Sequence, residues 1–214
     1  MALDKEQVRD LYRRRARGYD FLANLYYLIG FRETRYRKMA VKDLALSRGD
    51  TVIELGCGTG LNFRFLRDAV GEEGRIIGVD LSVPMLARAR ERLGRHGWGN
   101  VELVQADIAT YSFPGSADGI LSVLALSLVP QYEEVVARAA QDLRTDGKLV
   151  IADLKKPEWS PAWLTRIGVW ITRPFGITPD LVQRKPWEAM KNTFQKVRIR
   201  ELYGGFFYIA SAQR

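Results

Sequence analysis

The chain has 214 residues, 47% of them hydrophobic, which suits one large domain or a core with appendages. Its single cysteine, Cys57, excludes an intrachain disulfide and argues against a zinc site. No apolar run reaches the roughly 18 residues of a membrane-spanning helix. The opening MALDKEQVRDLYRRRARGYD lacks the apolar stretch of a secretory signal, so the sequence is read as that of a soluble, cytoplasmic protein able to touch a membrane surface.

The net charge of +8 is unevenly spread. Residues 1–48 carry 12 Lys/Arg against 6 Asp/Glu (+6), residues 49–154 carry 10 against 15 (−5), and residues 155–200 carry 10 against 3 (+7). An acidic centre between two basic flanks suggests an anionic partner for the flanks.

Residues 4–46 contain no proline and space their apolar side chains by three and four, which predicts two or three helices with breaks at Gly18 and Gly30. From Thr51 the pattern changes. TVIEL predicts a short buried strand, followed by glycines and the helix LNFRFLRDAV. RIIGVDLS is a second strand, and VPMLARARERLGR a helix with Ser82 at the N-cap position and Pro84 in its first turn. VELVQAD and ADGILSVLAL are the third and fourth strands, YEEVVARAAQDLR a helix, and GKLVIADL the fifth strand. Strand and helix alternating in this way predict a parallel sheet covered on both faces, with ligands bound beyond the carboxyl ends of its strands. Residues 155–193 hold five prolines and four tryptophans and predict an irregular helical insertion. FQKVRIRELY and GGFFYIASAQR close the chain as two strands joined through Gly204 and Gly205.

The chemistry concentrates in Glu54-Leu55-Gly56-Cys57-Gly58-Thr59-Gly60, an acid followed by G-x-G-x-G. Glycines between a strand and a helix let backbone approach a ligand. The dinucleotide fingerprint requires its third glycine one position later, where Leu61 stands, and no P-loop lysine follows. His96 in GRHGWGN reads as a loop residue, and Cys57 as a small filler of the loop rather than a nucleophile.

This segment resembles motif I of the class I S-adenosylmethionine (SAM)-dependent methyltransferases. The resemblance implies an α/β, Rossmann-like seven-stranded sheet, with residues 1–48 as an N-terminal helical lid and 49–214 as the SAM-binding core, interrupted by the insertion at about 155–193. It implies that Asp80 binds the ribose hydroxyls, that Asp107 meets the adenine amino group beside the backbone of Ile108, and that Glu54 supports the glycine loop and the aminoacyl end of SAM. Leu81 and Met85 would pack near the adenosine. Gly56, Cys57, Gly58, Thr59, Gly60, Asn62, Ser82 and Leu124 complete the implied SAM site.

The stretch YRRRARGYDFLANLYYLIGFRETRYRK resembles the entry region of two branches, the ubiquinone/menaquinone C-methyltransferases and the bacterial phosphatidylethanolamine N-methyltransferases. That resemblance assigns Tyr19 to the lid over the methyl group, in a catalytic and cofactor-binding role. The segment SVLALSLVPQY lacks the N/D-P-P-Y/F motif of DNA and glutamine methylases, which argues against DNA as a partner. The quinone branch's arginine-asparagine pair is also missing after the fourth strand. The expected acceptor is therefore an amine-bearing lipid, phosphatidylethanolamine first, met at an anionic membrane surface. A quinone or another small molecule, and an RNA methylase or SAM-binding regulator suggested by the basic pI, are the alternatives.

Overall fold

The computed structural model describes residues 30–161, 163 and 181–214. Tyr19, most of the 4–46 helical stretch before α1 and the middle of the 155–193 insertion lie outside the described residues. The elements, in chain order, are α1 (Glu33–Leu44), β1 (Thr51–Leu55), α2 (Phe63–Val70), β2 (Arg75–Asp80), α3 (Val83–His96), β3 (Val101–Gln105), β4 (Ala117–Val123), α4 (Tyr132–Asp142), β5 (Leu143–Leu154), α5 (Pro186–Thr193), β6 (Val197–Leu202) and β7 (Phe207–Gln213). Short 3-10 turns cover Leu126–Leu128, Leu181–Gln183 and Tyr203–Gly205.

The strands form one sheet in the order β3-β2-β1-β4-β5-β7-β6. The first five run parallel, and β7 lies antiparallel between β5 and β6. Strand order reverses at β1, whose next strand in sequence lies on one side and β4 on the other, so the glycine loop after β1 sits at the switch point where parallel sheets bind ligands.

Alternation along each strand builds two cores. Val52, Ile76, Leu121, Val150 and Ile209 point to the face covered by α1, α2 and α3. Ile53, Leu55, Ile77, Ile120, Ile151 and Tyr208 point to the face covered by α4 and α5. Ala40, Val41 and Leu44 of α1 are buried in the first core, so this part of the expected lid packs on the sheet itself. Phe31, Tyr36 and Phe207 add an aromatic cluster, with Tyr36 stacked on Phe207 at 5.2 Å between ring centroids.

All seven expected strands are present, with shifted ends. β5 begins at Leu143 instead of Gly147; Asp146, at φ 68°, bends its first residues, and the register with β4 jumps there. β4 stops at Val123 instead of Leu126, because Leu124 turns to φ 56°. Ser82 occupies the N-cap position of α3, yet its hydroxyl makes no capping hydrogen bond. His96 is the last residue of α3 rather than a loop residue, and its ring stacks on Trp98. Among the described residues no helix is long and apolar enough to cross a membrane.

Candidate active site

The three loop glycines all adopt positive φ: 72° at Gly56, 54° at Gly58 and 77° at Gly60. They differ in what a side chain would meet. A Cβ on Gly56 would overlap Ala125, just past β4, and one on Gly60 would overlap the Phe63 ring. A Cβ on Gly58 would meet nothing within 4 Å. The protein itself therefore excludes side chains at Gly56 and Gly60, while Gly58 opens its backbone onto free space, as a ligand cradle requires. The loop is anchored to β2, since the N–H groups of Gly56 and Cys57 both donate to the Val79 carbonyl.

Asp80, ending β2, binds the loop directly. Its Oδ2 accepts from the Gly58 N–H at 2.8 Å and its Oδ1 from the Ser82 N–H at 2.8 Å. Burial pushes its pKa up, and these two hydrogen bonds pull it down. A carboxylate can accept about four hydrogen bonds, so Asp80 keeps capacity for a pair of ligand hydroxyls.

Glu54, the penultimate residue of β1, is 1% exposed. Its Oε1 accepts from Asn62 Nδ2 at 2.6 Å, and its Oε2 has no hydrogen-bond partner. Desolvation pushes its pKa up to about 8; the Asn62 hydrogen bond and the Arg37 charge oppose that rise, and Asp80 adds to it. A buried carboxyl oxygen with nothing to accept from costs about 1–3 kcal/mol, unless a ligand supplies the donor. Glu54 thus reaches the loop only at its far end, through Asn62, while Asp80 ties its middle.

Ser82 offers a second buried atom without a partner, its Oγ. Asp107 lies two residues past β3, where its Oδ1 accepts from the Ala109 N–H at 2.9 Å. The Ile108 and Ala109 carbonyls accept from Arg138 of α4, at 3.0 and 2.7 Å, which fixes this turn against the second core. Ile108 approaches the Gly56 position, Met85 is buried, and Leu81 is half-buried. Leu124 sits in the left-handed region at the β4 terminus, a conformation costly for leucine and common where backbone meets a ligand. Thr59 is buried, and its carbonyl accepts from Arg92 Nε. Cys57 is buried with its thiol pKa raised, by desolvation first and then by Asp80 and Glu54, so it stays protonated and is a poor nucleophile.

The described site residues gather beyond the carboxyl ends of β1, β2, β3 and β4. Two orphaned polar atoms, one open glycine and a half-used carboxylate lie among them, and these accepting groups fit a ligand with an ammonium group and a ribose diol. The sequence profile of a methyltransferase-domain family matches residues 52–147, which end in the strand after α4 and contain every one of these elements. The core of the chain is a class I SAM-dependent methyltransferase domain. SAM is its methyl donor.

The methyltransferase is 28% identical to the demethylmenaquinone methyltransferase of Shouchella clausii over 159 residues, 73% of this chain and 67% of the relative. It is 29% identical to the nocamycin O-methyltransferase of Saccharothrix syringae over 170 residues, 77% and 59% of the two chains. These matches span about two thirds of the relatives' length or less. Among solved structures, the Haemonchus contortus phosphoethanolamine N-methyltransferase 2, in complex with phosphomonomethylethanolamine and S-adenosylhomocysteine, superposes with a TM-score of 0.73. The identity there is 15%, covering 97% of this chain and 60% of that one. A SAM-dependent methyltransferase from Aquifex aeolicus gives 0.61 at 19% identity, covering 83% and 88%. These structural likenesses show the fold.

Sequence reasoning missed three parts of this region. Asp153, near the end of β5, is 1% exposed; its Oδ2 accepts from the Ser127 N–H at 3.1 Å and its Oδ1 from the Leu154 N–H at 2.8 Å. Burial raises its pKa to about 6. Tyr208, its register partner on β7, keeps a buried hydroxyl with no hydrogen-bond partner. The signal for Asp153 was present: IADL places an acid at a strand end, as TVIEL and GVD do. Arg37 and Glu33, which reach the loop from α1, had no such signal.

Proposed function

We propose that this methyltransferase transfers the methyl group of SAM to a lipid acceptor at a membrane surface, with the amine of phosphatidylethanolamine as the first reading. Bound SAM supplies an electrophilic methyl on a sulfonium that is already a good leaving group. The residues then have positioning to do, which is worth about 7–11 kcal/mol in favourable cases. On this reading Asp80 accepts from the ribose hydroxyls, Glu54 Oε2 from the ammonium, and the Gly58 backbone lies along the cofactor. Asp107, Ile108, Leu81 and Met85 surround the adenosine.

The observation that carries the lipid reading is the surface beside the site. Trp159 and Trp163, just past the carboxyl end of β5, are 63% and 62% exposed. Exposed Lys156 precedes Trp159 by three residues, on the +7 segment. Large exposed aromatics amid cations suit the headgroup boundary of an anionic bilayer. Basic side chains there contribute about 1 kcal/mol each.

Similarity to demethylmenaquinone methyltransferases supports a second reading, C-methylation of a quinone, itself a lipid met at the same surface. Radiolabelled SAM offered with anionic vesicles containing either phosphatidylethanolamine or a demethylated quinol separates the two. Label in phosphatidylethanolamine supports the first reading and label in the quinol the second. Label only in a soluble acceptor, with vesicles without effect, would discard the lipid reading. Trp159→Ala with Trp163→Ala is expected to weaken vesicle sedimentation of the protein and leave SAM binding unchanged.

A further inference from the structure

Four buried side chains connect α1 to the glycine loop. Arg37 donates through Nε to Glu33 Oε1 at 2.8 Å, with its Nη2 at 2.6 Å from the same oxygen. Its Nη1 donates to Asn62 Oδ1 at 3.2 Å. Asn62 Nδ2 then donates to Glu54 Oε1 at 2.6 Å. Glu33, Arg37, Asn62 and Glu54 are all less than 8% exposed. An ion pair this deep costs desolvation that its attraction barely offsets, so its retention points to a task beyond stability.

We propose that Arg37 is a positioning residue for SAM binding: by holding the Asn62 carbonyl oxygen it turns the amide's NH2 toward Glu54, and so favours the carboxylate form of Glu54 that pairs with the cofactor's ammonium group. An amide has one accepting end and one donating end. With Arg37 on the oxygen, only the nitrogen is left for Glu54, and a donor facing a carboxyl group favours its charged form. Without Arg37 the amide can reverse. Its oxygen would then accept a proton-bearing Glu54 and favour the neutral acid, which cannot pair with an ammonium. Glu54 is poised for such a choice, because burial already holds its pKa near 8. The groups facing it are Arg37 from α1, which favours the carboxylate, Asp80 from β2, which opposes it, and Asn62 from the loop. The Cys57 thiol alongside remains protonated. Glu33 neutralises part of the Arg37 charge. The inference rests on SAM as the donor and is independent of the acceptor.

Calorimetric titration of SAM from pH 6 to 9, in two buffers of different ionisation enthalpy, counts the protons released on binding. The ammonium of SAM titrates identically for every variant, so differences report on the protein. Arg37→Met is expected to bind SAM about tenfold more weakly near pH 7, the equivalent of one pKa unit. Its affinity profile shifts to higher pH, and it releases more protons per SAM. Glu33→Gln leaves Arg37 with its full charge, so its profile shifts the other way and fewer protons are released. These opposed shifts are not expected of an ion pair that merely fastens α1. Equal proton counts and superimposable profiles for wild type and Glu33→Gln, with only a lowered melting temperature, would overturn the proposal, even if Arg37→Met fails to fold. Absence of SAM binding by the wild-type protein would overturn the methyltransferase reading beneath it.

Discussion

Two buried acids stand at the carboxyl edge of the sheet, Glu54 on β1 and Asp153 on β5, and the protein treats them differently. Both are 1% exposed, and burial raises both pKa values. Asp153 has each oxygen paired with a backbone N–H, and its pKa rises only to about 6. Glu54 has one oxygen paired and one bare, and its pKa rises to about 8. The β5 acid is spent inside the protein, pinning the turn after β4. The β1 acid holds back half of its accepting capacity. The difference separates a carboxylate that builds the site from one that serves a ligand.

The same division appears among the glycines, and it gives the largest expected effect. Gly56→Ala forces a Cβ into Ala125 at positive φ. Overpacking and backbone strain together should cost about 3–4 kcal/mol, seen as a lower urea midpoint. Gly58→Ala meets no protein atom, so it should cost only about 1–2 kcal/mol of stability while abolishing measurable SAM binding. If the two variants lose stability equally, the distinction between protein-facing and ligand-facing glycines breaks.

Asp80 sharpens the comparison from a third position, since it does both jobs. Asp80→Ala removes the acceptor for Gly58 and Ser82 along with the proposed ribose contact. Losing hydrogen bonds to a charged group at about 1.5–3 kcal/mol should weaken SAM binding roughly 10- to 100-fold by calorimetry. Asp80→Asn, which keeps one accepting oxygen, should fall between.

The two acids also predict distinct pH windows in the protein without ligand. A carboxyl whose folded pKa is raised holds its proton in the folded state longer than in the unfolded chain. Its contribution to stability is therefore complete below the ordinary carboxyl range and is lost as pH rises through the folded value. For Asp153 the loss falls between the ordinary 3.8 and about 6, and for Glu54 between 4.5 and about 8. Thermal melts across pH 4–8 should show Glu54→Gln flattening the decline above pH 6, and Asp153→Asn flattening only the part below it. A wild-type melting temperature that rises from pH 6 to 8 would contradict the buried, raised Glu54.

The smallest effect concerns Ser82. Its hydroxyl makes no cap bond, so Ser82→Ala should cost under about 0.5 kcal/mol, against about 1 for a true N-cap. A several-fold loss of SAM affinity at unchanged stability would place that buried oxygen at the cofactor.

The strands were legible because their apolar runs are short, β-branched and separated by glycines, and the acids at their ends follow from strand register. TVIEL and RIIGVD therefore placed Glu54 and Asp80 near their strand ends from local pattern. What that pattern could not carry was partnership across sequence distance. Arg37 meets Asn62 from 25 residues away, and Asp153 meets Ser127 from 26. Nor could it say that Ala125, not a ligand, closes over Gly56. The strand ends slipped where single residues, Leu124 and Asp146, adopt left-handed backbone that their side chains do not advertise.

The most direct test compares SAM titrations of Glu54→Gln and Asp153→Asn by calorimetry at neutral pH. The account predicts that Glu54→Gln loses most of its SAM affinity while Asp153→Asn binds SAM as the wild type does. Unchanged affinity in Glu54→Gln, or an equal loss in Asp153→Asn, would contradict the division between the two acids.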